Sequence, residues 1–344
     1  MARPVTPSVL ALLALAGCAA TPAALPSSAP APSPIDPGPL VQNRAVVAEI
    51  TPPPTCPLDP PVASDPAKPM RFDAFAAALA EHIDRASPPL AAELAALAAR
   101  HGLDATDANL ARDHRRLRAL FEATRDGGFF RLRWAITNQE PSSQRIWAEW
   151  AKSAALGAGP ASATAECDEI SALTSFLAGS VGVKPVGLFY PTWNHTIVAW
   201  QPPGATVKGT RVLLPTTQVF LGCDDGFDAA DFDPKAQKHV WAYTPKDVAP
   251  HAMVPQRTVA FLLGQIDRWV PASTDLLALV RLDRARRLHS SVAPCKHERA
   301  VLAGRLARNR TCADEAALAH YWTEELGEAP APFEEALRAL APPG

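Results

Sequence analysis

A cysteine and a histidine in the middle of the chain have the types and spacing that nucleophilic chemistry needs. Cys167 opens an amphipathic segment, and His195 stands further along in a run of β-branched and aromatic residues. A thiol in the first turn of a helix lies at the positive end of the helix dipole, which favours the thiolate. A histidine within reach would act as its base. We therefore predict a pair in which Cys167 is the nucleophile and His195 relays the proton.

The elements around this pair must bring the two side chains together. Thr164 is the predicted N-cap, which places Cys167 near the third helical position, where unpaired backbone N–H groups can also act as oxyanion donors. Ser171 follows one turn later and is small enough for a strand to approach. Which face of its strand His195 occupies stays open, because both faces are apolar. Gln139 is a further candidate oxyanion donor, with a polar turn as the alternative.

The hydrophobic pattern divides the folded part of the chain into three zones. Apolar residues recur at three and four from 72 to 123, which predicts two or three amphipathic helices. The zone 129–220 combines the Cys167 helix with short strands, and Pro202-Pro203-Gly204 marks a hairpin. The pattern is helical again after 259. The fold class is therefore α+β: a small antiparallel sheet with a Cys-headed helix in a core region 71–258, followed by a C-terminal helical region 259–344.

The first 18 residues have the features of an export signal. A short basic start precedes an apolar run that is too short to span a bilayer, and Leu15-Ala16-Gly17-Cys18 follows. This arrangement resembles the bacterial lipoprotein signal. The resemblance implies a lipid anchor on Cys18, and Ala19-Ala20 after it imply the outer membrane, with the protein facing the periplasm or the cell surface. An ordinary secretory peptide is the alternative.

Residues 19–70 have the composition of a tether. Fifteen of the 36 prolines lie between 21 and 70, with Ala and Ser between them and almost no apolar periodicity. Such a segment does not bury enough surface to offset its ordering entropy, and its prolines keep it extended. The net charge of −2 and the absence of a basic block argue against nucleic acid as a partner. We also predict no cofactor and no metal.

The central segment resembles the core of the transglutaminase-like and papain-like thiol hydrolases. In that family a helix headed by the catalytic cysteine has a small residue four positions later and leads to strands that bear His and then Asp-Pro-Thr. The matching residues here are Cys167, Ser171, Val181 to Pro185, His195 with Trp200, and Leu214-Pro215-Thr216. The resemblance covers roughly 60 residues. It implies a hydrolase or acyltransferase acting on an amide or peptide bond of a peptide, a protein or cell-wall material.

The family's orienting acid is missing from this chain. Leu214 stands where the Asp is expected, and leucine does not accept the second imidazole N–H. Thr216, Thr217 or Gln218 would orient His195 through a neutral acceptor, or the acidic cluster Asp224–Asp228 would fold back. The remaining alternative is a catalytically inactive relative that serves as a binding or scaffold lipoprotein.

The other cysteines are expected to form disulfides in an exported protein. Five cysteines follow Cys18, so two bridges leave one free thiol, for which Cys167 is the natural choice. We predict a Cys295–Cys312 bridge and propose Cys56–Cys223 as the second. Two alternatives remain open. One is a Cys167–Cys223 bridge, and the other is a metal site made of Cys295, His297, Cys312 and His320.

Overall fold

A computed structural model describes most of the chain from residue 69 onward. The described residues are 69–88, 90–125, 128–135, 146–148, 163–192, 195–205, 210–217, 227–228, 252–288, 295–329 and 331–341. All described residues belong to one compact unit, Pro54–Gly344. The predicted signal segment 1–18 and nearly all of the predicted tether lie outside the described residues, but Met70, its last residue, already belongs to a strand.

The described part opens with three amphipathic helices, where the sequence predicted two or three. They are α1 (Phe72–Ala86), α2 (Ala91–His101) and α3 (Ala108–Thr124). Gly102 ends α2 in the left-handed region at φ 64°, which glycine adopts without strain. Asp107 starts α3 by accepting hydrogen bonds from two backbone N–H groups of its first turn. The periodicity of three and four thus predicted this region correctly.

Short strands form three small sheets. They are β1 (Met70–Arg71), β2 (Leu132–Trp134), β3 (Ala163–Ala165), β4 (Val186–Thr192), β5 (His195–Trp200), β6 (Val212–Leu214) and β7 (Met253–Val254). β1 pairs with β7, β2 runs parallel to β3, and β4, β5 and β6 form an antiparallel sheet in that order. The predicted hairpin is therefore confirmed, because β5 and β6 flank the Pro202-Pro203-Gly204 turn.

The cysteine helix, α4 (Cys167–Ser180), packs between this antiparallel sheet and α3. Its apolar residues Ile170, Leu173 and Leu177 are almost fully buried. They share one core with Val198 and Trp200 of β5. The packing of α4 against β5 is what brings the residues around Cys167 to the strand that bears His195.

The C-terminal region is helical, as predicted. Its elements are α5 (Gln256–Trp269), α6 (Thr274–Leu288), α7 (Lys296–Asn309), α8 (Cys312–His320), a π-helical turn (Tyr321–Glu325) and α9 (Phe333–Leu340). α5 packs against α1 and α3, and a single hydrophobic core contains residues on both sides of position 258. The fold is therefore α+β and mainly helical, with small sheets. In the part of the chain that the structure describes, no helix has the length and hydrophobicity needed to cross a membrane.

Candidate active site at Cys167

Cys167 is the first residue of α4, and the residue before it caps the helix. Glu166 and Glu169 form a capping box, in which the Glu169 side chain accepts from the Glu166 backbone N–H at 3.1 Å. The prediction that Thr164 is the N-cap is wrong, because Thr164 pairs with Arg133 in the parallel β2–β3 sheet. Cys167 therefore lies at the first helical position instead of the third, still within the turn whose N–H groups have no helical partner.

Two backbone amides face the sulfur of Cys167. The N–H groups of Thr196 and Asp168 both interact with it as hydrogen-bond donors and lower the pKa of the thiol. The amide nitrogen of Thr196 belongs to the peptide bond that follows His195. The sulfur therefore lies beside the backbone of His195, the predicted base, which begins strand β5.

A buried hydroxyl pair holds α4 against β5 at the same point. The Ser171 Oγ lies 2.6 Å from the Cys167 carbonyl oxygen, 3.0 Å from the Thr196 carbonyl oxygen and 2.5 Å from the Thr216 Oγ1. Ser171 and Thr216 have no exposed surface. Thr216 is thus engaged with Ser171 rather than with His195, and its predicted role as the group that orients the imidazole does not fit this geometry.

The electrostatics of the site favour neutral groups. Burial raises the pKa of the Cys167 thiol, the two amides lower it, and the Asp168 and Glu166 carboxylates raise it further. The thiol pKa is therefore above its ordinary value, contrary to the expectation of a thiolate favoured by the helix dipole. Burial alone lowers the pKa of His195 to about 4. At neutral pH the site thus holds a thiol and a neutral imidazole.

The strand β5 places His195 at its first position. Val198 and Trp200 belong to the main core with α4, whereas Ile197 belongs to a small cluster with Phe189 and Leu213. His195 and Ile197 are two positions apart on β5, so a regular strand would place them on the same side, away from Val198 and Trp200. His195 is 2 % exposed. The β4–β5 register shifts between Phe189 and Thr192, next to this first position.

The position of the missing acid is filled by the core. Leu214 pairs with Val198, has no exposed surface and packs in the main cluster. Of the acidic cluster, Asp228 is described, and its carboxylate is bound by Arg100 and His101, each at 2.8 Å. Asp228 is therefore committed to α2 and does not serve His195. The other candidates for the site lie outside the described residues: Gln139, Gln218, Asp224 and Asp225.

The cysteines of the C-terminal region are far from each other. Cys295 precedes α7 and Cys312 follows it, and the 14 residues of this helix extend about 21 Å. A disulfide joins Cα atoms roughly 4.4–6.8 Å apart, so the predicted bridge between these two cysteines does not fit this geometry. Both cysteines are nevertheless disulfide-bonded, so the prediction that they form disulfides is confirmed. The partner of each stays a prediction, since Cys18, Cys56 and Cys223 lie outside the described residues.

Cys167 itself is a free cysteine, which excludes the alternative Cys167–Cys223 bridge in this structure. The alternative metal site is not formed either. Its cysteines lie at opposite ends of α7, and the His320 ring is bonded by Arg268. Among the residues that the structure describes, no three or more His, Cys, Asp or Glu side chains are grouped to hold a metal ion.

Ser171 and the Thr196 peptide are the site components that the sequence did not reveal. Ser171 was interpreted only as a small residue that permits close approach, although its hydroxyl makes three contacts. One signal for this arrangement was available in the hairpin register, which sets Thr216 opposite Thr196 when the β5–β6 pairing is extended. Comparison of the chain with protein-family models, with curated proteins and with solved structures finds no match.

Proposed function

We propose that this chain is a thiol hydrolase or acyltransferase that acts on an amide or peptide bond through Cys167. The observation that carries the proposal is the convergence of the Thr196 and Asp168 N–H groups on the Cys167 sulfur, beside His195. Donors that stabilise a thiolate also lie within reach of an oxygen on the carbon that the sulfur attacks. They therefore supply both the nucleophile and the oxyanion hole.

The reaction then has two halves. The Cys167 sulfur bonds to the substrate carbonyl carbon while the thiol proton passes to a nitrogen of His195, and the Asp168 and Thr196 N–H groups hold the developing oxyanion. When the C–N bond breaks, the amine leaves with the proton from His195 and a thioester remains on Cys167. Water, or an acceptor amine in a transferase, then attacks the thioester carbonyl while its proton passes to His195. The C–S bond breaks, the carboxylic acid or the new amide leaves, and His195 returns the proton to the Cys167 sulfur.

The neutral state of the pair determines how the proton moves. Because burial raises the pKa of Cys167 and lowers that of His195, a preformed thiolate–imidazolium pair is disfavoured. Proton transfer accompanies the attack instead. When substrate binds, its carbonyl oxygen accepts from the Thr196 and Asp168 N–H groups in place of the sulfur. These groups then stabilise the developing oxyanion.

The wider assignment builds on the family resemblance and on the N-terminal segment. We assign the region around Cys167 to a transglutaminase-like core, in agreement with a cysteine at a helix start and antiparallel strands that follow it. The chain would be held at the bacterial outer membrane by a lipid on Cys18, facing the periplasm or the cell surface. Its substrates would be peptides, proteins or cell-wall amides, and nucleic acid would not be a partner.

A non-catalytic binding or scaffold lipoprotein is the second candidate, and two observations favour it. Leu214 is sealed in the core where the orienting acid would stand. His195 belongs by alternation to the strand face opposite the one that packs on α4. In this case Cys167 and Ser171 serve only to lock α4 onto β5.

Acyl-enzyme formation separates the two candidates. The protein is mixed with an activated ester, p-nitrophenyl acetate, and followed by release of nitrophenolate and by intact mass. The enzyme gives a burst of one equivalent and an acetyl group on Cys167 that disappears with time. Cys167→Ala abolishes the burst, and His195→Gln slows it by roughly 10²-fold or more, whereas the exposed His297→Gln does not change it. A folded wild type with no acetylated Cys167 contradicts the proposed hydrolase and leaves the second candidate.

A further inference from the structure

The pairing of β5 with β6 ends at Val198 and Leu214, and the backbone of Thr196 contacts the first turn of α4. β5 and β6 pair through Val198↔Leu214, and the same register sets Thr216 opposite Thr196. In place of a backbone exchange between these two residues, the Thr196 N–H interacts with the Cys167 sulfur and the Thr196 carbonyl lies 3.0 Å from the Ser171 Oγ. Cys167 and Ser171 are one helical turn apart, so they meet both polar groups of one strand residue.

The protons of the hydroxyl pair have a defined direction. Ser171 has one O–H proton and faces two carbonyl oxygens, those of Cys167 and Thr196, which only accept. Thr216 lies 2.5 Å from the Ser171 Oγ. If Ser171 gave its proton to Thr216, the buried Thr196 carbonyl would lose this donor, whereas the Cys167 carbonyl would still accept the helical N–H of Ser171. The Thr216 hydroxyl therefore donates to Ser171, and the Ser171 proton is left for the two carbonyls.

This arrangement makes the orientation of the Thr196 residue depend on Thr216. The Ser171 hydroxyl is polarised by the donation from Thr216, which strengthens its own bond to the Thr196 carbonyl. That bond holds the backbone of Thr196 in place, and the N–H of the same residue donates to the Cys167 sulfur. Without the Thr216 hydroxyl, Ser171 would lose this polarisation, and we expect its bond to the Thr196 carbonyl to weaken.

We propose that Thr216 is a positioning residue for Cys167, acting through Ser171 and the Thr196 peptide to hold an amide donor at the sulfur. The proposal rests on the proposed function, because it assigns Thr216 to the same site. It gives the threonine of Leu214-Pro215-Thr216 a part in that site which does not involve the imidazole.

The test compares two adjacent buried threonines. Thr216→Val keeps the shape and removes the hydroxyl, and Thr216→Ser restores the hydroxyl. Thr217→Val is the matched control. Thr217 was the alternative candidate for orienting His195, but it has no exposed surface and its Oγ1 has no hydrogen-bond partner among the described residues, so that role does not fit the structure. The thiol pKa of Cys167 is measured from the pH dependence of iodoacetamide labelling, read at the Cys167 peptide by mass spectrometry. No substrate is involved.

We expect Thr216→Val to raise the thiol pKa by about one unit, which lowers the labelling rate at pH 8 roughly tenfold. Thr216→Ser should restore the wild-type profile, and Thr217→Val should leave it unchanged. A folded Thr216→Val protein with the wild-type profile overturns the proposal, as does an equal effect of Thr217→Val.

A second measurement needs no substitution and covers the case in which Thr216→Val does not fold. In the ¹⁵N-labelled wild type, the Thr196 amide resonance should move with pH at the midpoint found for the Cys167 thiol. A Thr196 amide that does not follow the thiol overturns the proposal. If both results hold but no acyl-enzyme forms, the proposed function fails while the positioning role stands.

Discussion

The Ser171 hydroxyl lies 3.0 Å from the carbonyl oxygen of Thr196, and this contact fastens the first turn of the Cys167 helix to the strand that begins with His195. The same hydroxyl contacts the Cys167 carbonyl and Thr216. It therefore joins helix, strand and the end of the hairpin at one buried point.

Removing this hydroxyl should destabilise the protein. We expect Ser171→Ala to lower the free energy of unfolding by about 1–3 kcal/mol, because the buried Thr216 hydroxyl and the Thr196 carbonyl lose their partner. Ser180→Ala is the matched control: its hydroxyl also bonds the carbonyl four residues earlier, at 2.8 Å, but joins no second element. Urea unfolding monitored by circular dichroism checks both. Equal losses of unfolding free energy in the two variants would contradict a role of the Ser171 hydroxyl in joining α4 to β5.

Introducing the missing family acid should not create activity. Leu214→Asp puts a carboxyl group into the main core, so we expect a loss of at least about 3 kcal/mol. Burial would raise the pKa of this carboxyl group, so the folded state would bind more protons than the unfolded state and stability would fall as the pH rises above about 4. Leu214→Ala, which leaves only a cavity, is the control without this added pH dependence. A stable and more active Leu214→Asp protein would refute the assignment of Leu214 to the core.

Acid should destabilise the protein through His195. Its pKa is about 4 in the folded state and near 6.5 in the unfolded state, so the unfolded state binds more protons between these values. The stability is therefore complete above pH 6.5 and falls by about 3 kcal/mol as the pH drops to 4. Unfolding free energies at pH 7, 5.5 and 4.5 should show a shallower decline in His195→Gln. The exposed His297→Gln should follow the wild type, and an unchanged slope in His195→Gln would show that the imidazole is not buried in a neutral form.

The acidic residue beside the thiol should slow its ionisation. The Asp168 carboxylate raises the pKa of Cys167, after burial as the larger cause. Asp168→Asn should therefore lower the thiol pKa and speed iodoacetamide labelling at pH 8 several-fold. Asp275→Asn removes a carboxylate from the first turn of α6 and is the control. Labelling that is already complete within minutes at pH 6 in the wild type would contradict a raised pKa.

Much of the scaffold followed from local patterns in the sequence, because those patterns act over one element at a time. The apolar spacing from Phe72 to Ala123 predicted two or three helices, of which the structure has three, and Pro202-Pro203-Gly204 predicted the hairpin between β5 and β6. The cap of the cysteine helix was missed because Thr164 and Glu166 are both able to cap. Only the tertiary pairing of β2 with β3 removes Thr164 from that role.

The protonation states of Cys167 and His195 depend on how deeply each side chain is buried, which the sequence alone does not show. The helix position of Cys167 argued for a low thiol pKa, yet the desolvated thiol and its acidic neighbours reverse the direction. The sequence did not assign a face to His195 because β5 is apolar on both sides, and only the packed structure separates Val198 and Trp200 from Ile197 into two clusters. Thr216 was expected to bond the imidazole of His195. Because α4 packs against β5, the Thr216 hydroxyl meets Ser171 instead.

A crystal structure of the protein with Cys167 acylated as a thioester tests the proposed catalytic pair most directly. We predict that the acyl oxygen lies about 2.7–3.1 Å from the backbone nitrogens of Thr196 and Asp168. We also predict a His195 ring nitrogen within hydrogen-bond reach of the sulfur, directly or through one water. If both His195 nitrogens lie more than about 6 Å from the sulfur with no rotamer that brings them closer, the proposed catalytic pair is contradicted.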